Sequence, residues 1–203
     1  MIKVILKYQD LAMPYTKAHK DHSRKLILQS AFELFTAKGF EQVTVNEIME
    51  NCNLTRGAFY AHFSSKSSLY SQSITFAAAT SRLADPKPKN ISEKIWLGRL
   101  LDGYLSIEHV NGENVCPLAF LATDVVTRDT NAKLAYSKAY SGFNKIIINY
   151  ASCYTTCDED EILSLTSMII GAVAISRTME KQKDIKKILS SCRREAGIKL
   201  GGI

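Results

Sequence analysis

The sequence predicts an all-α protein with a small helical module near its N-terminus and a larger helical unit behind it. Three observations point there. Apolar residues recur at helical spacing along nearly the whole chain, and no stretch keeps the two-residue period of a strand. Ser, Thr and Asp residues stand where helix N-caps belong, with Gly or Pro near the expected ends. Between Thr44 and Phe63 two short helices fall on either side of a tight turn. There is no internal repeat and no low-complexity segment.

Taken in order, the first helix is expected from Ser23 to Lys38. Its stripe is Ile27, Ala31, Leu34 and Phe35, and Gly39 is its stop. A short helix from Val45 to Cys52 follows, with Thr44 as N-cap and Glu47 completing a capping box. Asn51, Asn53 and Leu54 supply a turn, and Thr55 caps a third helix from Arg56 to His62. A fourth begins at Lys66 and enters the Ala77–Ala79 run. Asp85-Pro86-Lys87-Pro88 is the clearest break in the chain, and a domain boundary is expected near it. A helix from Ser92 to Ile107 places Trp96, Leu100 and Tyr104 on one face. The stretch from Val110 to Val115 contains Asn-Gly and reads as a loop. Pro117 suits the first turn of a helix reaching Arg128, since its missing N–H has no partner there in any case. Three more helices are expected over Asn131–Tyr154, Asp158–Met179 and Lys183–Glu195. The second opens on acidic residues that favour a helix N-terminus, and a frayed tail is expected over Gly197–Ile203.

Bulk properties narrow the function. At 46% hydrophobic and 23% charged, the composition is that of a folded globular chain and not a disordered one. A net charge of +6 favours polyanionic partners. The cysteine count of 5 is odd, and the positions (52, 116, 153, 157 and 192) form no framework, which suits free thiols in a reducing compartment. Cys153 and Cys157 are one helical turn apart, which is not a zinc spacing, so no metal and no cofactor are expected. No apolar run reaches the roughly 18 residues of a membrane span. The first 15 residues are too polar and too short for a signal peptide, so the expected location is the cytoplasm, with no membrane partner.

The stretch Thr44–Lys66 carries the function. Val45, Ile48, Leu54 and Phe59 lock two short helices together as a helix-turn-helix. The second of these helices offers Thr55, Arg56, Gly57, Ala58, Tyr60 and His62: small residues for close approach, an arginine that can read guanine, and hydrogen-bonding groups for phosphates. Phe59 is expected in the core from its helical spacing.

From Ser23 to Tyr70 the chain resembles the DNA-binding domain of the tetracycline-repressor (TetR) family. The resemblance rests on Ala31-Phe32-Glu33-Leu34-Phe35, Lys38-Gly39-Phe40, Thr44-Val45-Asn46-Glu47-Ile48, the unbroken run Leu54–Phe63, Ser65-Lys66 and Leu69-Tyr70. It implies a three-helix helix-turn-helix domain over 21–70 and a larger helical ligand-binding and dimerisation domain over 71–203, with an N-terminal extension over 1–20. It also implies phosphate contacts from Thr44, Tyr60, His62 and Lys66, and base-edge contacts from Thr55, Arg56, Gly57 and Ala58. The partners expected are a double-stranded DNA operator, a second copy of the chain and a small-molecule effector. Residues from Met13 onward also resemble a family N-terminus, which makes Met13 a candidate start.

The second half resembles the ligand domain of one group of these regulators through Tyr104-Leu105-Ser106 to His109 and Cys116–Ala122. Family members pair through their last two long helices, which are Asp158–Met179 and Lys183–Glu195 here, and Gly171, Ala172 and Ala174 would permit close approach. Trp96, Tyr104, Cys116, Phe120, Tyr136, Tyr140 and Phe143 are the candidate pocket residues, and their aromatic content favours an apolar or aromatic effector. Cys116, at an expected helix start, raises the alternative of a thiol-based redox or electrophile sensor. His109, beside Glu108, reads as a loop or helix-end residue. No catalytic residue is assigned. Three of the four histidines lie in the DNA-binding end, and no phosphate loop, metal motif or nucleophile elbow occurs, so an enzyme is not expected. A purely architectural DNA-binding protein would not need the long second half.

Overall fold

The computed structural model describes residues 17–112 and 115–203, and every described element is helical. The Met13 start and most of the expected N-terminal extension lie outside the described residues. Residues 17–20, counted with that extension, are instead the first turn of a helix. In chain order the α-helices are α1 (Lys17–Lys38), α2 (Val45–Asn51), α3 (Arg56–Tyr60), α4 (Lys66–Thr80), α5 (Glu93–Tyr104), α6 (Ile107–Val110), α7 (Pro117–Phe120), α8 (Thr130–Ala151), α9 (Glu159–Ser176) and α10 (Gln182–Lys199).

The N-terminal module closes on a small core in which Ile27, Ala31 and Phe35 of α1 meet Ile48 and Met49 of α2, Phe59 and Phe63 around α3, and Leu69 and Ile74 of α4. Gly39 leaves α1 with φ +79° and its N–H returns to the Phe35 carbonyl at 2.9 Å, a helix ending that glycine makes without strain. The Thr44 hydroxyl accepts from the Glu47 N–H at 3.1 Å and so caps α2. The expected capping box is only half formed, because the Glu47 carboxylate pairs with Lys38 at the end of α1. Asn53 has φ 55° and turns the chain between α2 and α3. Asparagine tolerates this conformation better than most residues.

α4 packs against α1 on one side and α8 on the other, and it runs without a break through residues 70 and 71. The core of the N-terminal module therefore extends beyond the module. Leu121, Val125, Ala132 and Ala135 belong to it, while a second core joins α5, α8, α9 and α10.

Three expectations need correcting. The helix expected from Pro117 to Arg128 lasts one turn, then breaks at Leu121 and resumes as a 3-10 turn over Val125–Thr127. Thr123, Val125, Val126 and Thr127 are β-branched and lose rotamer freedom in a helix, and the Asp124 carboxylate is used elsewhere. The helix expected to reach Ile107 ends at Tyr104, because the Ser106 hydroxyl accepts from the His109 N–H at 3.1 Å and starts α6. The tail is not frayed. α10 continues to Lys199, Leu200 is fully buried, and Ile203 folds back so closely that its carbonyl oxygen would lie 2.4 Å from a Cβ at Gly197.

Candidate nucleic-acid interface and ligand cavity

α3 buries Phe59 and turns its other face outward, leaving Thr55, Arg56, Gly57 and Tyr60 exposed and Ala58 half-buried. Thr55 stands at the N-cap position without a side-chain cap bond, unlike Thr44, so its hydroxyl is not spent on the helix. Neither Arg56 nor Tyr60 has an ion-pair or hydrogen-bond partner among the described residues. His62 is half-buried, and both of its ring nitrogens are shielded from water without a partner among those residues. Burial, with Lys20 and Arg24 nearby, holds its pKa below the ordinary value. Lys20 and Arg24 come from the early turns of α1, so they join the basic face beside α3. Lys20 was missed from sequence because the helix was expected to start only at Ser23, and Arg24, inside that helix, because its contacts with Gln72 and Phe63 are distant along the chain.

Lys66 is placed differently. Its ammonium donates to the carbonyls of Phe40 (2.8 Å) and Val43 (2.9 Å) and lies 4.1 Å from the centre of the Phe40 ring. It clips the α1–α2 loop and keeps one of its three donors for any other partner.

The expected pocket residues divide into two groups. A cavity of about 290 Å³ lies against α5 and takes Trp96, Tyr104 and Cys116 into its wall, with Leu83, Leu100 and His109. A second, more apolar cavity of about 260 Å³ lies between α4 and α8 and takes Phe143, sharing Cys116 with the first. Phe120, Tyr136 and Tyr140 line neither. Tyr136 donates to the Leu118 carbonyl at 2.7 Å, and the Tyr140 hydroxyl lies 3.1 Å from that of Thr166, so both tie helices together.

Cys116 is buried, its sulphur 3.8 Å from the Tyr104 hydroxyl, and burial pushes the thiol pKa up. The one-turn α7 behind it supplies too little dipole to reverse this. A raised thiol pKa disfavours the thiolate that an electrophile sensor uses, so the geometry favours Cys116 as a lining residue of the two cavities over the sensor alternative.

His109 lies at a helix end, as expected, but is buried. It is 3% exposed on α6, its Nδ1 is 2.6 Å from the Tyr104 carbonyl, and its ring lies over Phe120 with centroids 5.7 Å apart. Phe120 in turn carries the Arg177 guanidinium 3.5 Å from its centroid, and Arg177 donates to the Thr36 carbonyl in the last turns of α1 at 3.4 Å. A continuous series of contacts thus runs from the cavity wall to the N-terminal module. A second link runs beside it, since Asp124 accepts from the Tyr70 hydroxyl at 2.6 Å and the Phe40 N–H at 3.2 Å. Sequence alone carried no signal for Asp124 or Arg177, whose partners are far away along the chain.

Burial, opposed by the Tyr104 carbonyl and helped by Arg177, lowers the His109 pKa from its ordinary 6.5. The unfolded chain therefore takes up this proton first as pH falls. The stability contributed by neutral His109 is present above about pH 6.5 and is lost on acidification through its folded-state pKa. Stability should decline between about pH 7 and pH 5, and His109→Gln should flatten that slope in urea melts taken across the range. An unchanged slope would show that His109 titrates alike in both states.

Comparison with known proteins agrees with this geometry. Residues 27–72 match the profile of bacterial regulatory proteins of the tetR family. The chain is 38% identical over 48 residues to the biofilm operon icaADBC negative transcriptional regulator IcaR of Staphylococcus aureus, a match covering 24% of this chain and 26% of that protein. In general the chain spans about a quarter of the length of the curated relatives it matches. Among solved structures it resembles a TetR-family regulator from Agrobacterium tumefaciens with TM-score 0.70 at 15% identity, covering 87% of this chain and 98% of that one. It also resembles the regulator FadR of Bacillus subtilis in complex with stearoyl-CoA, with TM-score 0.60 at 15% identity over 88% and 98% of the two chains. At these identities the structural likenesses speak for the fold. Among the described residues no helix is long and apolar enough to cross a membrane, and no cluster of side chains suits a metal ion.

Proposed function

We propose, from the match of residues 27–72 to the tetR-family profile and the likeness of the fold to TetR-family structures, that the chain is a helix-turn-helix transcriptional regulator of this family rather than an enzyme, and that it acts as a cytoplasmic, homodimeric repressor released from a near-palindromic DNA operator by a small apolar or aromatic effector. The observation that carries this reading is the outer face of α3, where the exposed Thr55, Arg56 and Gly57 have their polar groups uncommitted above a core anchored by Phe59. Two such helices, one per protomer, enter successive major grooves. Thr55, Arg56, Gly57 and Ala58 approach base edges. Thr44, Tyr60 and Lys66 hold phosphates, His62 joins them once a side-chain rotation exposes its shielded ring nitrogens, and Lys20 and Arg24 add to that positive surface.

Residues 71–203 form the effector and dimerisation part, although the core shared across α4 makes it mechanically continuous with the reading head. Pairing through α9 and α10 is supported by apolar side chains that a monomer leaves in water: Leu163, Ile175 and Ile198 are 36%, 52% and 65% exposed. Gly171 has open space where a Cβ would stand, but Ala172 is buried within its own protomer and is not a pairing residue. Occupation of the cavity beside His109 acts through Phe120 and Arg177 on α1. The effector shifts the equilibrium by its differential affinity for the two arrangements. A repressor role fits the negative regulator IcaR, and a ligand in this fold fits FadR with its stearoyl-CoA.

The test is an anisotropy titration on the upstream intergenic DNA and on a random duplex, each at two salt concentrations. Specific binding should exceed random binding, and Arg56→Ala should cost about 1–3 kcal/mol on the operator while sparing the random duplex. An equal loss on both would make Arg56 a phosphate contact. Indifference of the wild type between the two duplexes would overturn repression at that site.

A further inference from the structure

The cavity against α5 carries two kinds of unmet demand. Trp96 Nε1 and His109 Nε2 are buried and have no hydrogen-bond partner among the described residues, although both side chains belong to its wall. His109 Nδ1 faces a carbonyl, which only accepts, so Nδ1 holds the proton and Nε2 is left with a lone pair. The indole N–H can only donate. Buried polar groups are normally satisfied, and two on one wall point to a cavity that is filled, by an occupant together with water bound beside it.

The second demand is electrostatic. Arg82 and Arg99 are exposed lining residues of the same cavity, and neither forms an ion pair among the described residues. Arg128 and Arg193, by contrast, are paired with Glu41 and Asp102. The one carboxylate in the lining, Asp85, is exposed and bridges to neither arginine. Trp96, Arg99, Leu100 and Gly103 share one face of α5, and Gly103 has nothing within 4 Å of where its Cβ would be, so the wall stays open next to Arg99. The interior offered by Leu83, Leu100 and Tyr104 is apolar.

Resting on the effector reading above, we propose that this cavity binds a small amphipathic organic anion. Its apolar or aromatic body lies between Trp96, Leu100 and Tyr104, and its carboxylate lies at Arg82 and Arg99. The volume of about 290 Å³ is at the lower end of ligand sites and excludes a bulky occupant. Planar, permanently charged guanidinium groups suit a carboxylate better than a neutral polar head.

Trp96 is the single tryptophan of the chain, so its fluorescence reports on this cavity alone. The probes are two matched pairs: 3-phenylpropionate with 3-phenylpropionamide, and octanoate with octanamide. At low salt each acid should perturb Trp96 with a Kd at least about tenfold below that of its amide. In Arg82→Gln/Arg99→Gln, whose changes are at exposed positions, that gap should close while amide binding is unchanged. Equal affinities, a gap that survives in the double variant, or no fluorescence change with any of the four would overturn the assignment. Operator anisotropy in the same titrations separates the two readings. Release by amide and acid alike removes the anion assignment alone. Occupancy reported by Trp96 without release removes the effector reading and leaves an anion site.

Discussion

Asp124→Ala should be among the most damaging single substitutions outside the central core, costing about 3–5 kcal/mol. Asp124 is half-buried between the two parts of the molecule and holds the Tyr70 hydroxyl with one oxygen and the Phe40 N–H with the other. Tyr70 is fully buried, and burial together with the carboxylate pushes its pKa well up, so its hydroxyl stays a donor. Removing Asp124 leaves that donor without a partner and frees Arg128, which otherwise approaches the carboxylate at 3.9 Å and packs 4.5 Å over Phe40. For a chain of 203 residues, a loss of this size lowers Tm by about 10 °C. Tyr70→Phe keeps the Phe40 and Arg128 contacts and should cost only about 1 kcal/mol. Calorimetry of both variants is the measurement. A loss below about 1 kcal/mol for Asp124→Ala would mean that water replaces its partners freely.

The second large effect is at Phe59, and its neighbour provides the control. Phe59 is 1% exposed and packs against Phe63 with ring centroids 5.9 Å apart. Phe59→Ala should cost about 3–5 kcal/mol, since the module is small and its core cannot collapse to fill the space. DNA binding should disappear with the fold of α3, without any DNA contact having been removed. Tyr60 is 62% exposed, and Tyr60→Phe removes only a hydroxyl. Stability should stay within about 0.5 kcal/mol. Affinity for operator and random duplex should fall together by about 1 kcal/mol, as befits a lost phosphate contact. Thermal melts beside anisotropy titrations distinguish the two patterns. A stable Phe59→Ala protein that binds DNA normally would refute this account of the module's core.

What could be read in advance follows the distance over which each interaction acts. The spans of α2 and α3, the Thr44 cap and the outward face of α3 depend on residues three or four apart, so periodicity placed them closely, whereas α1 starts before the expected Ser23 and Thr55 makes no side-chain cap bond. The inward position of Phe59 followed from the same spacing. The Pro117 segment went wrong because its helix ends at Leu121 and the Asp124 carboxylate beyond it is held by partners 54 and 84 residues away. Arg177 reaches Thr36 across 141 residues, and no local pattern announces such a contact. Among the candidate pocket residues, Trp96, Tyr104 and Cys116 come together because α5 and the start of α7 face each other. Phe120, Tyr136 and Tyr140 are just as aromatic or amphipathic but are used in holding helices together. Arg82 and Arg99 gave no signal because a cation on a surface helix is ordinarily solvated.

The unbroken course of α4 has a geometric consequence. Fifteen residues rising about 1.5 Å each make a rod about 22 Å long. It is held at its start by the Lys66 clip and the α1 core and farther along by α8. A tilt of about 6°, as packed helices permit when they shear, would carry one end of that rod about 2 Å relative to the other. Hydrogen bonds to base edges tolerate only a few tenths of an ångström. A disturbance too small to reorganise either core would thus be magnified by the rod into a mismatch between α3 and its groove, and two copies tilting in opposite senses would double the error in their spacing.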